Sequence, residues 1–308
     1  MILALNLNCS LDKIYTVDKL EYGGVVRAKT TNNTAGGKGL HIANICSLLG
    51  EDYVASGFLG GHTGEIIRDI LEERGMKHDF VSIAGETRSC INIGTPDGKQ
   101  TEVLEAGPEI SAEEKEAFLA KYKELLAKAD IVTGSGSLPK GVGQDFYGTL
   151  IRLAHDAGKK FLLDTSGETL KASLLYQPFM IKPNKDEIEA ISGRRIEDAE
   201  EAAEEARKFQ EQGIAMPIIS LGKNGSVIGF EGNIYRAVPP AFQAINAVGS
   251  GDSFVAGIAI GFQRRYSIED VIRLGSACGA ANVLEAESGY VDPDKTKEIF
   301  AQVRVEKM

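Results

Sequence analysis

Asp130-Ile-Val-Thr-Gly134-Ser-Gly136-Ser-Leu-Pro139 begins as a short apolar run and ends in a glycine-rich loop closed by proline. A run of that length bounded by turn residues reads as a buried strand, with the loop at its carboxyl end. Glycines in that position raise a dinucleotide-binding fold, yet Pro139 stands where the third glycine of that fingerprint belongs. A rigid proline loop suits the carboxyl rim of an open α/β sheet, where the ligands of such sheets gather.

Similar apolar runs recur at Ile2–Leu7, Tyr53–Phe58, Phe161–Asp164, Phe179–Lys182 and Pro217–Leu221. Helix-period segments alternate with them at about Lys38–Leu49, Gly64–Arg74, Ala112–Lys128, Gln144–Ala157, Lys185–Ile191 and Ala199–Gln212. The alternation predicts βαβ units building a mainly parallel sheet in an α/β core. Beyond Leu221, Ser226–Phe230 and Asn233–Ala237 read as a hairpin around Glu231-Gly232, and helices are expected from there to the C-terminus. Residues 12–31 and 80–106 break the pattern with short β-type runs and the turn Pro96-Asp97-Gly98-Lys99. They predict either a small second sheet, a lid on the core, or plain surface hairpins.

At 308 residues, 43% hydrophobic and 25% charged, the chain is expected to fold as a compact globular domain. A net charge of −10 without a basic patch argues against nucleic acid or an anionic membrane as partner. An anionic ligand would then rest on a few local cations, with Lys38, Arg88 and Arg27 as candidates. Four scattered cysteines without a Cys-x-x-Cys pair point away from zinc sites and disulfides and toward reduced thiols in a cytoplasmic protein. The start, Met1-Ile-Leu-Ala-Leu-Asn-Leu-Asn8, is too short for a signal-peptide core, and no segment has the length of a membrane span.

The chemistry concentrates in Asn246-Ala-Val-Gly-Ser-Gly-Asp252-Ser-Phe-Val-Ala-Gly257. Gly249 and Gly251 let backbone amides approach an anion at the start of a helix, whose dipole favours negative charge there. Asp252, in the first turn of that helix, is placed to accept a proton from a hydroxyl beside a bound phosphate. The same residues also read as ordinary N-capping. Ala35-Gly36-Gly37-Lys38-Gly39-Leu40-His41 opens another helix with three glycines and a lysine; no hydroxyl follows the lysine, so it is not a Walker A loop. Asn184 and Glu187, three apart at a helix start, fit a hydrated magnesium ion or a capping box, or both together. Ser220-Leu-Gly222-Lys-Asn-Gly225 and Asp164-Thr-Ser-Gly167 end further strands, and a nucleotide is expected along the rim they share.

Gly36-Gly37-Lys38-Gly39 paired with Gly249-Ser250-Gly251-Asp252, with Asn184-x-x-Glu187 and Ser220-Leu-Gly222 between them in order, resembles the PfkB/ribokinase family of sugar and nucleoside kinases. The resemblance spans essentially the whole chain. Gly136-Ser137-Leu138-Pro139, Leu163-Asp164-Thr165-Ser166-Gly167, Thr87-Arg88, and Thr101-Glu102 leading to Gly107-Pro108 are similar to its phosphosugar branch of 1-phosphofructokinases and tagatose-6-phosphate kinases. The resemblance implies a ribokinase-like, Rossmann-type three-layer α/β/α core over residues 1–308. It makes segments 12–31 and 80–106 a β-sheet lid, through which subunits of relatives often pair as a homodimer.

It further implies ATP and magnesium as cofactors and a small phosphosugar as substrate. Fructose 1-phosphate going to fructose 1,6-bisphosphate is favoured, and tagatose 6-phosphate is next. In that reading Asp252 is the base, and Gly249, Ser250 and Gly251 form an anion hole. Asp12, Gly37, Lys38, His41 and Ser137 bind the sugar, and Arg88 holds its phosphate. Lys182, Ser220, Gly222, Gly225, Gly251 and Asn282 contact ATP, and Asn184 and Glu187 organise magnesium through water. Three residues depart from the family pattern: Cys9 stands where relatives usually have Pro, His41 where they usually have Asn, and Cys90 follows Arg88 in the lid. The rival readings are a sugar-phosphate-binding protein without turnover and an NAD-dependent oxidoreductase.

Overall fold

The computed structural model describes residues 1–308. Its main sheet has ten strands in the order Arg304–Lys307, Asn233–Val238, Ser226–Phe230, Met216–Ser220, Met180–Ile181, Lys160–Asp164, Ile131–Ser135, Ile2–Asn6, Tyr53–Gly60 and Val81–Ile83. From Met216–Ser220 onward every neighbouring pair is parallel, and the first three strands of the order join antiparallel. Residues 2–6 lie between strands that follow them in sequence on both sides, so strand order reverses there. Such a reversal opens a crevice at the carboxyl ends of the strands.

Alternation along residues 2–6 feeds two cores. Ile2 and Ala4 pack with Ile42, Ile45, Val255, Ile258 and Ala277 on one face of the sheet, and Leu3 and Leu5 with Phe118, Phe146, Leu150, Ala203 and Phe209 on the other. Helices therefore cover both faces, which gives the expected three-layer α/β/α core.

A separate four-stranded sheet runs in the order Thr30–Gly36, Ser10–Thr16, Arg88–Gly94 and Gln100–Leu104. The expected lid boundaries shift. Its first part begins at Ser10 and ends at Gly36, whereas residues 17–29 inside the expected segment form an irregular connection. Val81–Ile83, expected in the lid, pairs instead with Phe58–Gly60 at the edge of the main sheet. The expected run of helices to the C-terminus is also corrected. Helices Ser250–Gln263, Ile268–Asn282 and Pro293–Phe300 are followed by a strand at Arg304–Lys307, which adds its backbone to the edge offered by Tyr235–Val238. The Asp164-Thr-Ser-Gly167 turn leads into a helix, Gly167–Leu174, too short for its periodicity to stand out. All four cysteines are buried and free. No helix is long and apolar enough to cross a membrane.

Candidate active site

A polar cavity of about 400 Å³ lies between the carboxyl ends of the central strands and the four-stranded sheet. That volume suits a small ligand. Side chains alternate along strands, so Ser10, Asp12 and Ile14 line the cavity from one strand of that sheet. Arg88, Cys90 and Asn92 do so from its parallel neighbour, where Ser10 is in register with Arg88 and Asp12 with Cys90.

Two helix entries form the floor. Gly37, with φ +105°, precedes helix Lys38–Leu48, and a Cβ there would come within 2.4 Å of the Asn6 side chain. Gly249, with φ +84°, precedes helix Ser250–Gln263, and its Cβ would meet Gly289 N at 2.5 Å. Both positions require glycine for conformation and space together. The amides of Gly249, Gly251 and Asp252 have no acceptor within the chain, while Ser250 N–H donates to Ala247 O at 3.3 Å. The donors left at this helix start are thus Gly249, Gly251 and Asp252. The expected set included Ser250, whose amide is turned back into its own loop.

Charged groups alternate in sign across the floor. Asp252, 5% exposed, receives His41 Nδ1 on Oδ2 at 2.8 Å and has Lys38 Nζ 3.5 Å from Oδ1. Lys38 Nζ also donates to Asp164 Oδ2 at 2.9 Å, and Lys182 Nζ lies 3.2 Å from Asp164 Oδ1. Burial opposes the charge of Lys38, but Asp164 and Asp252 outweigh it and raise its pKa. Burial likewise penalises ionised Asp164, and Lys182 and Lys38 overcome it and hold that carboxyl below its usual range. Burial of His41 favours the neutral imidazole, yet the hydrogen bond to Asp252 and the charge behind it raise its pKa above the ordinary value. Asp12 is raised by burial, against a hydrogen bond from Ser10 Oγ at 2.6 Å.

Arg88 is anchored before any ligand arrives. Nε and Nη2 donate to Asn8 O at 3.3 and 3.0 Å, and Nη1 donates to Glu105 O at 3.0 Å. A guanidinium has five N–H groups, so two remain to face an anion. Ser137 lines the same cavity and accepts from Asn8 Nδ2 at 3.0 Å. Arg27 lies in the exposed connection and does not line it.

The remaining expected residues divide. Lys182 Nζ sits against Gly251, where an added Cβ would stand 3.1 Å away. Asn184 and Ser220 are bridged side by side, and Ser220 N–H donates to Pro183 O at 3.0 Å. Gly222 and Gly225, with φ +59° and +85°, bound the turn that follows. None of Lys182, Asn184, Ser220, Gly222 and Gly225 lines the cavity of about 400 Å³. Asn184 Oδ1 accepts from Glu187 N–H at 2.9 Å, and Glu187 Oε2 accepts from Asn184 N–H at 2.8 Å, a complete capping box. Glu187 keeps its other carboxylate oxygen without a hydrogen bond and lies near enough to Lys38 to support that lysine's charge.

Asn282 does not belong on the rim. It is fully buried and donates Nδ2 to Glu287 O and Tyr290 O at 3.3 and 3.2 Å, bracing the loop behind Gly249. Asn6 and Asn8 line the cavity and were not singled out from the sequence, and Asp164, expected only on the rim, pairs with Lys38 and Lys182. The available signal was a polar residue closing an apolar strand, as in Ile2–Leu5 before Asn6 and Phe161–Leu163 before Asp164.

The chain is similar over its whole length to known proteins. A tagatose-6-phosphate kinase of Staphylococcus epidermidis is 39% identical over 308 residues, covering 99% of each chain. Escherichia coli phosphofructokinase-2, solved in complex with fructose-6-phosphate, superposes with a TM-score of 0.89 at 26% identity, covering 98% of each chain. An Arabidopsis thaliana ribokinase complexed with ribose and ATP shares the fold, with a TM-score of 0.81 at 21% identity over 97% of this chain and 98% of its own. The pfkB family carbohydrate kinase profile matches residues 6–295, from Asn6 at the cavity to the last helix, and the chain belongs to that family.

Proposed function

We propose that this kinase transfers the γ-phosphoryl group of ATP to the free primary hydroxyl of a ketohexose monophosphate. The observation that carries the reading is one cavity lined mainly by polar residues, with an anchored guanidinium, Arg88, on one side and a helix start with the free amides of Gly249, Gly251 and Asp252 on the other. Fructose 1-phosphate and tagatose 6-phosphate both fit this description, since each presents a hydroxyl at the end opposite its phosphate. The Staphylococcus relative favours tagatose 6-phosphate.

In this reading Asp252 accepts the hydroxyl proton as the oxygen attacks phosphorus. Lys38, held between Asp252 and Asp164, and the amides of Gly249 and Gly251 balance charge on the transferring group. Asp12, Gly37, His41 and Ser137 bind the sugar. ATP lies along Lys182, Asn184, Ser220, Gly222 and Gly225. Magnesium, bound to ATP, would neutralise phosphate charge. No group of three His, Cys, Asp or Glu side chains is gathered to ligate a metal directly. Glu187 and Asn184 fit an ion that keeps its waters and takes its other ligands from phosphates.

A coupled ADP-release assay with fructose 1-phosphate, tagatose 6-phosphate, fructose 6-phosphate, fructose and ribose tests the reading. Preference for one phosphosugar supports it, and turnover of free sugars alone rejects it. Arg88→Ala is expected to raise KM for the phosphosugar by about 10–100-fold, as loss of a charge-assisted contact made before and during transfer. Equal losses with phosphorylated and free sugar would remove Arg88 from that role.

We further propose a homodimer through the lid. Val103 and Leu104 on its edge strand are 55% and 62% exposed, and Tyr22 and Val25 in the adjoining connection stand free. Sedimentation equilibrium showing only monomer at micromolar concentration would reject it.

A further inference from the structure

His41 stands where the resemblance leads one to expect Asn, and it makes a contact the function above does not use. Its ring lines the cavity, and Nδ1, on Asp252 Oδ2 at 2.8 Å, is its one hydrogen-bonded atom. Gly289 packs against the Cβ, Cγ and Cδ2 side of the ring, where an added Cβ would come within 2.5–2.6 Å. The imidazole is thereby fixed edge-on to the carboxylate. Asp252 is an acceptor, so Nδ1 carries the hydrogen, and in the neutral ring Nε2 is an acceptor without a protein partner.

We propose that His41 and Asp252 work as a dyad, in which Nδ1–H fixes the carboxylate with Oδ1 toward Lys38 and the reacting hydroxyl while Nε2 accepts a hydrogen bond from a second hydroxyl of the sugar. An amide in place of His41 can donate to Asp252, but it lacks the reach to present an acceptor on the far side of a ring. His41 is therefore a positioning residue for the base and a direct contact for the substrate. The proposal rests on the reading of Asp252 as proton acceptor for a sugar hydroxyl.

The dyad makes transfer depend on pH. The groups facing His41 are Asp252 on helix Ser250–Gln263, Asp12 on strand Ser10–Thr16 and Lys38 on its own helix. Arg88 lies across the cavity, as does Glu287, which is paired with Arg74. Asp252 and Asp12 draw the imidazole toward its charged form, against burial and Lys38. Charged His41 has no acceptor at Nε2, and its cation competes with the substrate hydroxyl for the carboxylate. Turnover therefore rises as pH passes upward through the raised His41 pKa.

Two measurements decide the matter. The chain has four histidines, so the imidazole resonances can be assigned by His41→Asn and followed by NMR titration of the apo enzyme. In the wild type His41 is expected to titrate above about 6.5, and in Asp252→Asn at a lower pH. An unchanged titration in that variant overturns the dyad, whether or not any sugar is turned over.

Activity then tests the substrate contact. Wild-type kcat is expected to fall by roughly tenfold per pH unit on its acid limb. His41→Asn should move that limb to lower pH and raise KM for the phosphosugar by about 3–10-fold, the worth of one hydrogen bond. His41→Gln should do the same. Ionisation of the phosphosugar itself affects all three enzymes alike. Coincident profiles and equal KM values would overturn the proposal even with the kinase reading intact, whereas no turnover of any phosphosugar would reject that reading and leave the dyad to the titration.

Discussion

Asp252→Asn is expected to lower kcat by about 10²–10⁴-fold, the usual loss for a positioned general base, with ATP affinity close to wild type. The side chain keeps its size, so helix Ser250–Gln263 and the free amides at its start stay in place. Lys38 can still donate to an amide oxygen, and the new NH₂ group then points at His41, which can pair with it only by accepting on Nδ1 in its other tautomer. The variant therefore loses proton acceptance and reverses the hydrogen bond to His41, at a site that is 5% exposed. In the proposed reading ATP lies along Asn184, Ser220 and Gly222, away from this oxygen. Steady-state assays with the preferred phosphosugar, beside calorimetric titration with a non-hydrolysable ATP analogue, separate the two effects. Turnover within tenfold of wild type would remove Asp252 from the role of base.

The helix entry that carries Asp252 was legible because its residues are local. Gly249, Gly251 and Asp252 lie within four residues, and the need for positive φ just before a helix start is written in Gly249 itself. The parallel core was legible for a similar reason: buried strands such as Ile131–Ser135 read as unbroken apolar runs. Lid boundaries were not. Strand Ser10–Thr16 puts Ser10 and Asp12 toward the cavity beside Ile14, so its inward face lacks the unbroken apolar alternation by which a half-buried strand is recognised. The closing strand Arg304–Lys307 is four residues long and owes its form to an available sheet edge more than to its own composition. Asp164 was visible only as a residue at the end of a strand. Its meaning comes from Lys38, 126 positions away in sequence, and no local pattern reports such a pairing.

Removing that carboxylate should cost the most stability of any single change in the site. Asp164 is 3% exposed and Lys182 7%, so their charges are screened by each other and by Lys38, with little help from solvent. Asp164→Ala leaves the Lys182 ammonium buried beside Gly251 without a counter-charge, and breaking a buried pair from one side costs about 3–5 kcal/mol. Urea denaturation at neutral pH is expected to show a loss of that size. Adding Lys182→Met should restore most of it, because an apolar pair of similar volume needs no compensation.

The effect also has a pH signature. A carboxyl held below its unfolded value of 3.8 contributes stability above that pH, and the contribution is lost as pH falls through the still lower folded value. The gap between wild type and Asp164→Ala should therefore narrow in acid, below about pH 4. A loss under 1 kcal/mol at neutral pH, or no rescue by Lys182→Met, would mean that water reaches Lys182 and that the row of alternating charges does not hold the floor of the site together.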